Sequence, residues 1–243
     1  MIKKTASQSS LPARLFDAGA VKIDTKGGFK LKIHETQPQA PLSPIYLNLR
    51  TPDNPKPGPL TPQLVGEIGA ALWCLARRQY LPFDGVAGLP NAGTPLAYAF
   101  AVAAKRCGME IPLLVLGKET SAEKRAIAGI KSDGGLPPVR GRDTTTVLVV
   151  DDLITAGGSK DEGIGVLTKA GYRVRDVVVL VDREQGGADY LRKRGFGLHA
   201  AFTLAGIVDE LARAGEKRIS HGDGKTVLEY LARERYAGTQ RAA

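Results

Sequence analysis

Three uninterrupted apolar stretches limit what this chain can fold into more than any other feature of it. Residues 111–116, 146–150 and 177–181 are aliphatic or β-branched with almost no polar alternation. A strand that reads this way has both faces covered, which is the condition of a parallel sheet packed between helices. Helical segments fall between the strands. Thr61-Pro62 supplies a cap and a proline at the first helical position. Leu64, Ile68, Leu72 and Leu75 then follow at helical spacing and predict a helix over 63–78. Residues 85–88 read as a short strand, Thr94-Pro95 as the cap of a helix running to Gly108, and 159–170 as a helix closed by Gly171. Further on, 174–181 and 198–202 read as strands, and 188–194, 204–214 and 225–235 as helices. The expected class is therefore α/β, a mostly parallel sheet with helices on both faces. Ligands of such sheets sit beyond the carboxyl ends of the strands.

Two regions stand outside this alternation. Residues 28–50 carry short alternating stretches, Phe29, Leu31 and Ile33 and then Ile45, Leu47 and Leu49, which predict a small N-terminal hairpin in front of the sheet. The four prolines of 51–60 make that segment a loop. The second region, 118–143, holds six basic residues and little apolar periodicity, and reads as a functional lid or an unstructured insert. One domain is expected over 1–243: an N-terminal extension and hairpin over 1–60, a core over 61–205, and C-terminal helices over 206–243.

Composition narrows the setting. The apolar runs are too short to span a bilayer, and no apolar stretch follows the basic residues of the N-terminus, so neither a membrane span nor a secretory leader is expected. Two cysteines, Cys74 and Cys107, form neither a disulfide framework nor a CxxC metal site. A cytoplasmic protein is expected. The net charge of +9 raises the question of nucleic acid, but the basic residues are scattered and aromatics make up only 6% of the chain. An anionic small substrate accounts for a positive field equally well.

The sharpest signal is TVLVVDDLITAGGSK at 146–160. A buried strand ends in two acids, Asp151 and Asp152, then turns through Thr155, Ala156, Gly157, Gly158 and Ser159 into a helix. Small residues at a helix N-terminus let amide hydrogens converge on an anion. The paired acids beside such a nest fit a ligand that also offers hydroxyls or a magnesium ion, as a ribose 5-phosphate does. The plainer reading, a strand end capping the next helix, needs one acid and no glycine pair.

VVDDLITAGGS resembles the phosphoribosyl pyrophosphate signature of type I phosphoribosyltransferases. From that resemblance, Asp151 and Asp152 hold ribose hydroxyls and the shell of Mg2+, through water and those hydroxyls, while Ala156 to Ser159 cradle the 5-phosphate. Three more segments resemble orotate phosphoribosyltransferase, and with the signature they cover roughly 14–205. FKLK and SPIYLNLR look like that family's front hairpin, with Lys32 near orotate and pyrophosphate. VAGLPNAGTPLA looks like its pyrophosphate loop, which places Pro90, Asn91, Ala92 and Gly93 on the substrate. LVDREQGG with LHAAFTL is the third. Arg183 also has a physical case: a guanidinium at the ligand edge of a buried sheet needs a partner, which a substrate carboxylate supplies with two-point geometry. An internal pair with Asp182 or Glu184 is the alternative.

The resemblance implies a lid with basic residues, contributed across a homodimer. Here it opens with Gly117 where the family has an arginine, and it contains no histidine. Lys118, Lys124 and Arg125, with Lys131, are the cations available to a departing pyrophosphate. The expected activity is transfer of ribose 5-phosphate from phosphoribosyl pyrophosphate to orotate. Alternatives are another nucleobase acceptor, or a phosphoribosyl pyrophosphate-sensing regulator that binds nucleic acid.

Overall fold

The structure, a computed structural model, describes residues 10–35, 37–120, 125–139, 141, 144–213 and 218–242. Six strands form the central sheet: β3 (Gly85–Gly88), β4 (Leu113–Thr120), β5 (Arg125–Ser132), β6 (Val147–Ile154), β7 (Asp176–Asp182) and β8 (Gly197–Thr203). Their order is β5-β4-β3-β6-β7-β8. All neighbours are parallel except β5, which runs antiparallel to β4 at one edge. The class is the α/β arrangement expected from the sequence.

Alternate residues of the strands enter two separate cores, as a doubly covered sheet requires. Val86, Leu148, Val150, Val178 and Leu180 pack with α2 (Pro62–Arg78) and α3 (Gly93–Arg106). The same core takes in α1 (Leu11–Asp17), α6 (Leu204–Arg213) and α7 (His221–Ala242). Ala87, Val147, Val149, Val177 and Val179 face the other way, toward α4 (Gly158–Lys169) and α5 (Gly187–Lys193). Trp73 and Phe100 meet edge-to-face in the first core. Thr61 caps α2 as its sequence implies, accepting from the Leu64 amide at 3.3 Å with Pro62 at the first helical position. Among the described residues no helix is long and apolar enough to cross a membrane.

The chain leaves β3 through α3 to reach β4 on one side, and leaves β6 through α4 to reach β7 on the other. The switch point therefore lies between β3 and β6. In an open α/β sheet this is where a crevice forms.

Four sequence readings need correction. The front pair is β1 (Val21–Ile23) with β2 (Ile45–Leu47), not residues 29–33 with 45–49. Phe29 makes only an isolated bridge to Ser43, and Lys32–Glu35 turn as a 3-10 helix. Next, α3 begins at Gly93 after Ala92 with no side-chain cap, so Thr94 is already helical. Third, β6 runs through both acids to Ile154, because Leu153 and Ile154 continue the ladder with Val181 and Asp182. Last, the unstructured-insert alternative for 118–143 does not hold over Arg125–Ser132: β5 pairs back on β4, with Ile127 buried in one core with Leu116, Leu89 and Ile164.

Candidate active site

The acids sit where the ladder opens. β3 pairs with β6 only as far as Gly88 opposite Val150, so beyond Val150 one side of β6 is free of strand. The loop over 89–92 fills that space, with the Leu89 amide donating to the Val150 carbonyl at 3.0 Å. Gly93 is obligatory there: a Cβ on it would lie 2.6 Å from the Val150 carbonyl oxygen and 2.8 Å from Asp151 Oδ1. Gly93, the last residue of the segment that looked like a pyrophosphate loop, is thus pressed against the first acid of the signature. The Pro90–Asn91 peptide is cis.

Asp151 is buried, and its partner is a residue the sequence reading overlooked. Lys160, in the first turn of α4, is buried as well, and its ammonium lies 2.6 Å from Asp151 Oδ2. The same ammonium donates to the Leu153 carbonyl and reaches the Ser159 hydroxyl at 3.4 Å. One cation thus ties the acid to both ends of the corner. A signal existed: a lysine in a helix's first turn opposes the helix dipole, so it needs a compensating acid nearby. Asp152 is left without such a partner. Burial of its carboxyl, and then the charge of Asp151 beside it, push its pKa up to about 7, against the opposing pull of Lys160.

The corner itself is open. Gly157 is the helix cap with φ +93°, a left-handed conformation that a side chain adopts only with strain, and no side chain caps the helix. Lys160 and Asp161 amides both turn back to the Gly157 carbonyl, at 3.0 and 3.1 Å. The Gly158 and Ser159 amides precede them, where an α-helix has no internal acceptor to offer. Nothing within 4 Å would meet a Cβ on Gly158, and Ser159 is exposed. The acid that could have crowded this end, Asp161, is drawn away to Arg194 at 2.8 Å and the Tyr190 hydroxyl at 3.1 Å. Thr155 and Ala156 complete the turn from β6.

Arg183 follows β7 at the same edge, its amide donating to the Ile154 carbonyl at 3.1 Å. Neither expected internal partner holds its guanidinium. Asp182 accepts the Glu184 amide at 2.7 Å, and Glu184 pairs with Arg235 of α7. Arg183 Nε is buried without a hydrogen-bond partner, and burial pulls the guanidinium's pKa down.

The basic hairpin projects past the sheet's carboxyl edge, since β4 continues five residues beyond Val115, which lies level with Gly88. Lys118 stands on this extension opposite Ile127. Glu162 of α4 accepts the Ile127 amide at 2.8 Å, which anchors the hairpin to the corner's own helix. Lys131 of β5 lays its aliphatic chain over Gly117. Lys124 and the side chains of Arg125 and Lys32 lie outside the described residues. His199 pairs its ring with Asp176 at 2.8 Å where β7 begins, at the end of the sheet opposite this site. The ring nitrogens of His34 lie about 3.0 Å from the backbone of Leu31 and Ala40.

Among the described residues no cluster of three or more His, Cys, Asp or Glu could hold a metal ion. With Asp151 already committed to Lys160, the described residues offer no cage for magnesium; the two acids fit one as outer partners, through water or a ligand's oxygens.

An open glycine corner following two acids, at the switch point of a mostly parallel sheet, defines a type I phosphoribosyltransferase. Comparison with known proteins agrees. No protein-family model matches the chain. Uridine 5'-monophosphate synthase of Bos taurus is 34% identical over 212 residues, 86% of this chain but 38% of that protein, so the chain spans well under half of that relative. Orotate phosphoribosyltransferase of a Nostoc strain is 31% identical over 215 residues, 87% of this chain and 92% of that one. Among solved structures, orotate phosphoribosyltransferase from Aeropyrum pernix superposes with a TM-score of 0.63 at 26% identity, covering 85% of this chain and 100% of that one. The chain belongs to the orotate phosphoribosyltransferase family.

Proposed function

We propose that the protein transfers the 5-phosphoribosyl group of phosphoribosyl pyrophosphate to a ring nitrogen of orotate, giving orotidine 5'-monophosphate and pyrophosphate in cytoplasmic pyrimidine synthesis. The observation that carries this reading is adjacency. An uncapped anion corner and an arginine with an orphaned, buried Nε sit at the ends of neighbouring strands, joined through the Ile154 carbonyl. A donor phosphate and an acceptor carboxylate fit these two places at once.

In this reading the Gly158 and Ser159 amides, with the Thr155 and Ser159 hydroxyls, take the 5-phosphate. Asp151 and Asp152 take the ribose hydroxyls. Lys160 holds Asp151 in place, and Asp152, with its pKa of about 7, can donate or accept a hydrogen bond. The bond from the anomeric carbon to pyrophosphate breaks ahead of attack by the ring nitrogen, so the protein's task is placement and charge stabilisation. Lys118 and the loop of Pro90, Asn91, Ala92 and Gly93 face the departing pyrophosphate, and Arg183 orients the orotate carboxylate. Magnesium, entering with the donor, would neutralise pyrophosphate charge, with Asp151 and Asp152 as its outer protein partners. A homodimer belongs to the proposal, and sedimentation of the purified chain tests it.

The test of the activity is pyrophosphate release from phosphoribosyl pyrophosphate with magnesium and a panel of bases. Release that depends on orotate, and not on uracil or a purine, is expected. Release that ignores orotate, or binding of nucleic acid with no turnover, contradicts it.

A further inference from the structure

The loop that carries Arg183 is held from outside. Every other polar side chain of residues 182–185 is engaged. Asp182 turns back to the Glu184 amide, Glu184 meets Arg235, and the Gln185 amide donates to Glu234 Oε2 at 3.3 Å. Two of these partners belong to α7. The groups that act on Arg183 against the effect of burial are also on α7: Tyr230 first, then Glu234. Tyr230 is partly buried and lies against the Ser43 hydroxyl, a fully buried group beside β2. The helix therefore bridges the front of the molecule and the loop after β7. It also lies beyond 14–205, the stretch whose sequence pattern points to the family.

We propose that α7 is the clamp that positions Arg183 for its substrate, with Glu234 as the positioning residue. This rests on the transferase reading above and deepens it. Glu234 spends its carboxylate on Gln185 and makes no ion pair with the guanidinium, so Nε stays available. A carboxylate arriving at Nε and a terminal nitrogen makes the two-point contact for which arginine is suited. Glu234 meanwhile holds Gln185, two residues along, and so fixes the loop from which that arginine projects.

The experiment is steady-state kinetics of Glu234→Gln in the full chain, with orotate and phosphoribosyl pyrophosphate varied separately. Glu234→Gln should raise KM for orotate about tenfold, leaving KM for the donor and kcat within twofold and the melting temperature in place. In an Arg183→Met background Glu234→Gln should add nothing further, because the residue it positions is gone. An equal rise in both KM values, or an undiminished effect in the Arg183→Met background, overturns the clamp and leaves α7 a structural helix. Absence of orotate-dependent turnover in the unaltered protein sinks the transferase reading itself, and this inference with it.

Discussion

The corner after β6 and the loop after β7 lie side by side at one edge of the sheet, yet they are built on opposite plans. The corner is electrostatically closed. Its buried acid has a buried lysine at 2.6 Å, and that lysine is used three times over, on Asp151, Leu153 and Ser159. The loop after β7 is electrostatically open, with Arg183 Nε buried and unpartnered. The difference separates two tasks. A phosphate can be received by backbone amides alone, so the charged side chains near it are free to brace one another. A substrate carboxylate needs a charge of opposite sign, and that charge must be left uncommitted.

Breaking the closed pair should have the largest effect. Lys160→Met leaves Asp151 buried without a counter-charge, and loss of about 3–5 kcal/mol in urea unfolding is expected. Adding Asp151→Asn to that variant should recover much of the loss. A stability change under about 1 kcal/mol for Lys160→Met would mean the pair is not closed at all.

Asp152 gives the second test. Its folded pKa of about 7 lies above the ordinary carboxylate value of 3.8, so the folded state binds the extra proton between those values. Stability in metal-free buffer should therefore fall as pH rises from about 4 to about 7, by a few kcal/mol, and level off above. Asp152→Asn should flatten that part of the profile.

Arg183→Met sharpens the contrast. It should raise KM for orotate by about 30- to 100-fold, roughly 2–3 kcal/mol of lost charge-assisted bonding, with stability unchanged or slightly improved, since a buried unpaired donor is removed. Parallel loss of stability would show that the loop after β7 is closed too. The smallest effect belongs to Gly158→Ala. Its Cβ meets no protein atom, so the melting temperature should hold while KM for the donor rises several-fold, about 1 kcal/mol.

The two plans also explain what could be read from the sequence. The corner after β6 was legible because its parts are contiguous: strand, two acids, glycine pair and helix occupy 147–169 without interruption. Even there Lys160 escaped notice, since its role depends on a side chain folding back three-dimensionally onto Asp151. The α7 contacts with the loop after β7 were not legible, because Glu234 and Gln185 are 49 residues apart. β5 was missed for a different reason. Its pairing with β4 shifts register between Val115 and Leu116 and again between Gly117 and Lys118, which destroys the period-two pattern that marks a strand. The front pair was misassigned because Val21–Ile23 is only three residues long, too short to show alternation.

The central claim is that the Gly157 to Ser159 corner receives a sugar phosphate through its amides. Amide chemical shifts of the labelled protein, followed as ribose 5-phosphate is added without base or magnesium, test it most directly. Gly158 and Ser159 should move furthest and saturate together, with the Arg183 region unmoved. Shifts centred elsewhere, or none at the corner at saturating ligand, would contradict the account.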